Sequence, residues 1–297
     1  MRDLVRGYAA ATFESAAAAG RSRDVPAELA AFGEVLVEHS DLRQVLGDST
    51  VEPSVRRAVV ADLLAGRVSP EAGELVRFCV YYERPSELGP TIGALVGVGE
   101  AAARAPGAAV VDPPAGRAAA RERLRGYAER VFQELPDRAE IDRVEDELFS
   151  LARLLDEHGD LRRVLADPNV EYVRRSEVLG DLLASRVTRA TLRLARYVLR
   201  AGRTRDLVGT FEWLVEVAAR ERGRRVAEVR SAVALDEGER DRLASALGRL
   251  VDRVVEVRVL VDPSVVGGIL VSVGDLVIDG TVRLRFERLR DQLAQLS

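Results

Sequence analysis

The stretch Val261 to Asp279, VDPSVVGGILVSVGDLVID, runs on into GTVRLRFERLRDQL from Gly280 to Leu293, and it decides the fold of this chain. Pro263 fixes its own φ and biases Asp262 towards extended geometry, so a strand reaching Val261 must stop there. Gly267 and Gly268 permit a bulge or sharp bend that side chains would block. Ile269 to Val273 alternates and β-branches as a strand does, and Gly274-Asp275 supplies the turn into Leu276 to Ile278. The expectation is a tight β-meander leading into an amphipathic helix. Within that helix Val282, Phe286, Leu289, Leu293 and Leu296 repeat at spacings of four and three, a heptad-like seam that packs on its own domain or on a partner helix.

Just upstream the chain already has this mixed character. Arg224 to Val233 alternates like a strand, and Asp236-Glu237-Gly238-Glu239 has the capping-box pattern, with Asp236 as N-cap and Glu239 three residues on. A helix to about Val251 and a strand over Val254 to Val261 follow. The order β-α-β-β-α indicates a small α+β domain.

The rest is helical and duplicated. Arg6-Gly7-Tyr8-Ala9 recurs as Arg125-Gly126-Tyr127-Ala128, an offset of 119 residues, and Phe13 meets Phe132 at the same offset. His39 and Asp41 to Arg43 match His158 and Asp160 to Arg162, and Asp62 to Ala65 matches Asp181 to Ala184. Roughly a third of the positions from Arg6 to Leu88 are identical without a gap, which marks a tandem repeat. Each copy reads as about six short helices. In the first, helix one runs from Leu4 to Ala19 and ends at Gly20; Pro26, Pro53 and Pro70 open later helices. Asp41 is placed to cap the short segment Leu42 to Leu46, as is Asp160 in the second copy. Val55, Val59, Leu63 and Leu64 share a helical face expected to be buried. The expected organisation is a helical bundle over residues 1–104, a Pro- and Gly-rich linker over 105–118, a second six-helix bundle over 119–222, and the α+β domain over 223–297.

Composition excludes several kinds of chemistry. Hydrophobic residues make up 47% and charged residues 31%, with aromatics at 5%, so the cores must rest on Ala, Val and Leu. The formal net charge of −4 gives no general attraction to nucleic acid, and the basic run of Arg283, Arg285, Arg288 and Arg290 is mixed with acidic Glu287 and Asp291. All 44 basic residues are arginine, which removes the P-loop lysine and Schiff-base chemistry. The lone Cys79 sits in the apolar run Phe78-Cys79-Val80 and is expected to be buried and inert. His39 and His158 occupy equivalent repeat positions, so duplication puts them in different bundles, too far apart for a shared metal or triad. The glycines at 267, 268 and 274 punctuate strands rather than open a helix, so they are turns and not a phosphate cradle. Asp146-Glu147 is expected on a solvated face. No secretory signal is recognised at Met1-Arg2-Asp3, and no apolar run approaches a membrane span. No catalytic, metal or cofactor-binding residue is expected.

The C-terminal run resembles the signature of the δ subunit of the rotary ATP synthase, the family that includes the mitochondrial oligomycin-sensitivity-conferring protein. The residues that carry it are Asp262, Pro263, Gly267, Gly268, Gly274, Asp275, Asp279, Gly280 and Thr281, the last standing where the family usually has serine. The duplicated bundle resembles the longer actinobacterial form. The resemblance implies a non-catalytic stator subunit without cofactors, peripheral to the cytoplasmic face of the cell membrane, linking the catalytic head to the stalk. It also implies partners: N-terminal helices of the α subunits on the bundles, near Tyr8, Phe13, Tyr127 and Phe132, and the b subunit at the C-terminal domain, near Phe286, Leu289 and Leu293. The second copy, which runs directly into the C-terminal domain, is expected to take the α-binding position, with the first held on its linker and adding a further contact. A helical-repeat scaffold with unrelated partners is the alternative.

Overall fold

The computed structural model describes residues 1–104, 116–183, 186–201, 206–224, 226–251, 255–263, 265, 267–273 and 276–282. The first repeat folds as α1 (Asp3–Ala18), α2 (Asp24–Glu38), α3 (Ser40–Gly47), α4 (Pro53–Leu64), α5 (Pro70–Tyr82), a 3-10 turn at Pro85–Glu87, and α6 (Leu88–Arg104). The second repeats the plan as α7 (Arg117–Gln133), α8 (Arg138–Glu157), α9 (Gly159–Ala166), α10 (Tyr172–Leu183), α11 (Arg189–Arg200) and α12 (Leu207–Arg224). Then come β1 (Val226–Ser231), α13 (Glu237–Val251), β2 (Glu256–Val261), β3 (Ile269–Val273) and β4 (Leu276–Asp279). The fold is mainly α with a small α+β domain. The chain divides into two compact units, Met1–Phe132 with Glu147–Leu214, and Gln133–Asp146 with Val215–Ser297.

Within the first unit, equivalent repeat positions make equivalent contacts. Tyr8 stacks on Phe78 with ring centroids 3.7 Å apart, and Tyr127 stacks on Tyr197 at 3.7 Å. Ser69 caps α5 by accepting from the Ala72 amide, and Glu28 in turn accepts from the Ser69 amide and hydroxyl. Thr188 caps α11 by accepting from the Thr191 amide, and Glu147 accepts from the Thr188 amide and hydroxyl, each at 2.8 Å. These caps satisfy amides that the first turn of a helix leaves unpaired. Glu147 is therefore not the solvated carboxylate expected from the polar pattern of its helix. Arg56 donates to the carbonyl of Leu46 and Arg175 to that of Leu165, pinning the third helix of each copy to the fourth.

Two further expectations give way here. Asp41 and Asp160 do not cap: α3 and α9 begin two residues earlier than expected, with His39 and His158 at the N-cap positions, and both acids lie inside the first turn. There an acid still complements the helix dipole. On α4 the buried residues are Arg56 and Val60, while Val55 and Val59 are exposed, because the helix turns inwards the face that lets Arg56 reach Leu46.

The sheet of the second unit has the order β2-β1-β3-β4. β1 and β2 run parallel through the crossover helix α13, β3 runs antiparallel to β1, and β3 and β4 form a hairpin. The hairpin half of the expected meander is present, but β2 does not pair with β3. The crossover places β2 on one edge of β1, so β3 takes the other. Ala227 and Val229 on β1 are buried between exposed Glu228 and Arg230, and they pack with Leu247, Val255 and Val271. The capping box forms in both directions: the Glu239 amide donates to Asp236 at 2.7 Å, and the Asp236 amide to Glu239 at 3.0 Å.

Candidate functional site

The two repeats meet through the motif that revealed the duplication. A Cβ built on Gly7 of α1 would collide with the carbonyl oxygen of Arg123 on α7, and one built on Gly126 of α7 would collide with the carbonyl oxygen of Leu4 on α1. Leu4 and Arg123 are themselves repeat equivalents. Gly7 meets the counterpart of Leu4 just as Gly126 meets Leu4 itself, so the crossing is isologous, as in a two-fold dimer built within one chain. Glycine inside a helix costs about 0.5–1 kcal/mol relative to alanine, and here it lets two backbones touch. Around the crossing Arg123 pairs with Asp3 at 2.5 Å, Tyr127 donates to Glu14, and Arg193 of α11 lies 3.3 Å from Glu14. Arg193 also donates to the Ala11 carbonyl at 3.2 Å and to the Ser15 hydroxyl at 3.0 Å. The first copy is therefore packed directly on the second rather than held by its linker alone. Sequence reading singled out Arg6 to Ala9 as a marker of the repeat and missed the contact. The available signal was an identical glycine in the middle of two helices.

Beside this crossing lies a groove of about 500 Å³. Its floor is apolar, from Ala10, Phe13 and Ala17 of α1 and Leu95, Val98 and Ala102 of α6. Its other wall belongs to the second copy, where α7, α10 and α11 contribute Arg123, Tyr127, Tyr172, Arg193, Arg196, Tyr197 and Arg200. Arg200 stands over the Tyr172 ring at 5.3 Å. Burial, and next the nearby Glu14, push the Tyr127 hydroxyl well above its ordinary range, and burial does the same for Tyr197. Both phenols therefore stay protonated, and that of Tyr127 donates to Glu14. Of the four aromatics expected near a docking face, Phe13 and Tyr127 line this groove, and all four of Tyr8, Phe13, Tyr127 and Phe132 are buried.

The C-terminal signature residues are turn-makers. β2 ends at Val261, and the Val265 amide closes a turn over Pro263 onto the Asp262 carbonyl at 3.1 Å. Gly267 and Gly268 have φ of +72° and +78°, the left-handed region that favours glycine. A Cβ on Gly268 would strike the carbonyl of Gly280 and fall 2.9 Å from Thr281 Cα. The Gly280 amide donates to Ile269 at 2.9 Å, that of Val282 to Gly267 at 3.2 Å, and that of Thr281 to the Asp279 carboxylate at 2.8 Å. The chain after β4 is thus laced back onto the glycine pair. Gly274, Asp275, Phe286, Leu289 and Leu293 lie outside the described residues. Cys79 is buried, and burial pushes its thiol far above the ordinary range. Among the described residues no group of three or more His, Cys, Asp or Glu is placed to hold a metal, and no helix is long and apolar enough to cross a membrane.

The family model described as ATP synthase delta (OSCP) subunit matches residues 4–100 and 124–293. The ATP synthase subunit delta of Nocardia farcinica (strain IFM 10152) is 32% identical over 267 residues, covering 90% of this chain and 88% of that protein. The subunit delta of Parafrankia sp. (strain EAN1pec) is 31% identical over 275 residues, 92% of this chain and 88% of its own length. That of Streptomyces lividans is 40% identical over 157 residues, 53% of this chain and 58% of that protein. The two matched segments fall on the first repeat and on the second repeat with the α+β domain, and together they place this chain in the ATP synthase delta (OSCP) subunit family.

Proposed function

We infer that this chain is a peripheral-stalk subunit of the rotary ATP synthase, a static link that resists rotor torque. The membership carries the reading, and the glycine crossing supports it mechanically. A stator must transmit force without yielding, and two bundles in backbone contact bend less than two bundles on a tether. The bundles receive N-terminal helices of α subunits in grooves, the C-terminal domain meets the b subunit, and the protein sits on the cytoplasmic face of the cell membrane through these partners. Its role is docking and stiffness, and the purified chain does not turn over nucleotide.

The test is mass spectrometry of what the tagged full chain retains after mild detergent solubilisation of membranes, alongside an ATPase assay of the purified chain. Retention of α and b subunits with no turnover is expected. Recovery of an unrelated partner set, or ATP hydrolysis abolished by a point substitution in this chain, would overturn the reading.

A further inference from the structure

At one core position the copies differ by a single buried oxygen. Tyr127 stacks on Tyr197 as Tyr8 stacks on Phe78, each pair at 3.7 Å, so phenylalanine serves the frame of the repeat there and the Tyr197 hydroxyl is an addition that packing does not need. Tyr197 is 3% exposed and lines the groove beside the crossing, and its hydroxyl has no hydrogen-bond partner among the described residues. Burial keeps that phenol protonated, so it stands on the groove wall as a donor. Native cores seldom leave such a donor unpaired, because it gives up water without gaining a partner. The charges of Arg123 and Arg200 act on it more strongly than those of Asp3 and Glu14, which favours an anionic acceptor over a neutral one. On the same helix Arg196 lines the groove and has no ion pair among the described residues. Gly180 of α10, where α4 has Ala61, makes room for it, since a Cβ there would fall 2.7 Å from the guanidinium.

We propose that the groove binds a long-chain fatty acid, its carboxylate accepting from the Tyr197 hydroxyl and its alkyl chain lying on Phe13, Leu95, Val98 and Ala102. The site goes beyond the stalk reading and does not rest on it. Size and shape select this class of ligand. The volume of about 500 Å³ lies within the range of small-ligand pockets, roughly 300–1,000 Å³. The lining follows α1 from Arg6 to Ala17, about 16 Å, a length that an unbranched chain fills and a compact ring system does not. The floor residues carry no polar side-chain atom, so the head group belongs at the wall, where the unpaired donor stands.

The probe is cis-parinaric acid, a fatty acid that fluoresces in apolar surroundings, titrated below its micelle concentration into the full chain and displaced by saturated acids. Saturable, equimolar binding is expected. Displacement should weaken about fourfold for each methylene removed from the competitor. Tyr197→Phe should weaken binding about tenfold or more, because a hydrogen bond to a carboxylate is lost. The same variant without ligand should melt no lower than wild type, since it keeps the stack that Phe78 makes in the first copy. Ala102→Trp, which fills the groove, should abolish binding, while Arg163→Glu on exposed α9 should leave it unchanged. Thermal melting shows that each variant is folded. Full affinity in Tyr197→Phe would overturn the proposal, as would a fatty alcohol that competes as well as the acid. No binding at all, uptake of phosphatidylglycerol vesicles in place of the free acid, or a ligand-free Tyr197→Phe that melts well below wild type would do the same. None of these outcomes touches the copurification result, so the two readings fall separately.

Discussion

The first and second repeats share a scaffold of identical residues and differ where they face each other. Glu28 and Glu147 hold equivalent N-caps, Arg56 and Arg175 hold equivalent carbonyls, and Tyr8 and Tyr127 stack on equivalent rings. Gly7 and Gly126 complete the set, but their work is between copies rather than within one. Around them the copies diverge. The first keeps Glu71 and Glu74 on its fifth helix, whereas the second has Ala190 and Arg193 there. Such a division teaches that identity in a tandem repeat marks bonds each copy needs for itself, or a symmetric contact, while divergence marks surfaces that became one-sided.

The sharpest way to break this comparison is at the crossing. Gly7→Ala and Gly126→Ala should each destabilise the first unit by about 2–4 kcal/mol, because the new methyl meets a backbone carbonyl that cannot turn aside. Gly93→Ala on α6, where the space is open, should instead stabilise by about 0.5–1 kcal/mol. Urea denaturation of the three variants decides the matter. If all three stabilise alike, the copies are not in backbone contact.

The C-terminal turn provides an effect confined to the other unit. Gly268→Val should cost about 1–3 kcal/mol, since it combines a left-handed φ with a collision against Gly280, while the helical signal of the bundles persists. A variant that melts together with wild type by hydrogen exchange of β3 would remove the proposed turn.

Next come the caps, which compare the copies directly. Glu147 accepts from the Thr188 amide and from the hydroxyls of Thr188 and Thr191, while Glu28 accepts from the Ser69 amide and hydroxyl. Glu147→Ala should therefore cost about 2–3 kcal/mol and Glu28→Ala about 1–2, read from chemical denaturation. Equal losses would mean that the Thr191 hydroxyl contributes nothing.

The smallest effect is in acid and belongs to the first copy. Burial works against the Glu71 carboxylate, but the hydrogen bonds and charge of Arg21 outweigh it and hold its pKa below the ordinary 4.5. A carboxylate with a depressed native pKa stabilises fully above its unfolded value and loses that contribution as the pH falls through the lower native one. Glu71→Gln should thus flatten the decline in melting temperature below about pH 4.5. Glu140 and Ala190 occupy the corresponding positions of the second copy, so Ala190→Gln should leave that decline unchanged. An unchanged acid slope in Glu71→Gln would show that Arg21 adds nothing.

Local chemistry was readable because it acts over a few residues. Gly20 ends α1 at φ +76°, Pro53 and Pro70 open α4 and α5, and Asp236 with Glu239 closes the capping box. The glycine pair at 267 and 268 was read as a special turn, and its positive φ is the physical content of that reading. What misled was the choice of face on short helices. Valines at 55 and 59 look like core, but an arginine with a long apolar stem and one carbonyl to reach is buried in their place. The carboxylate of Glu147 looked solvated because the threonine that needs it lies 41 residues away.

The sequence by itself determined the duplication, the helical plan of each copy, the mixed C-terminal domain and the family, since all of these are written in spacing and turn residues. Only the tertiary structure decided that β2 flanks β1 rather than β3, that Gly7 and Gly126 lock α1 against α7, and that one arginine-lined groove opens beside them. The reason is distance along the chain. A turn is fixed by the residues within it, whereas a contact between positions about a repeat apart depends on which of several apolar faces buries best, and no local pattern encodes that choice.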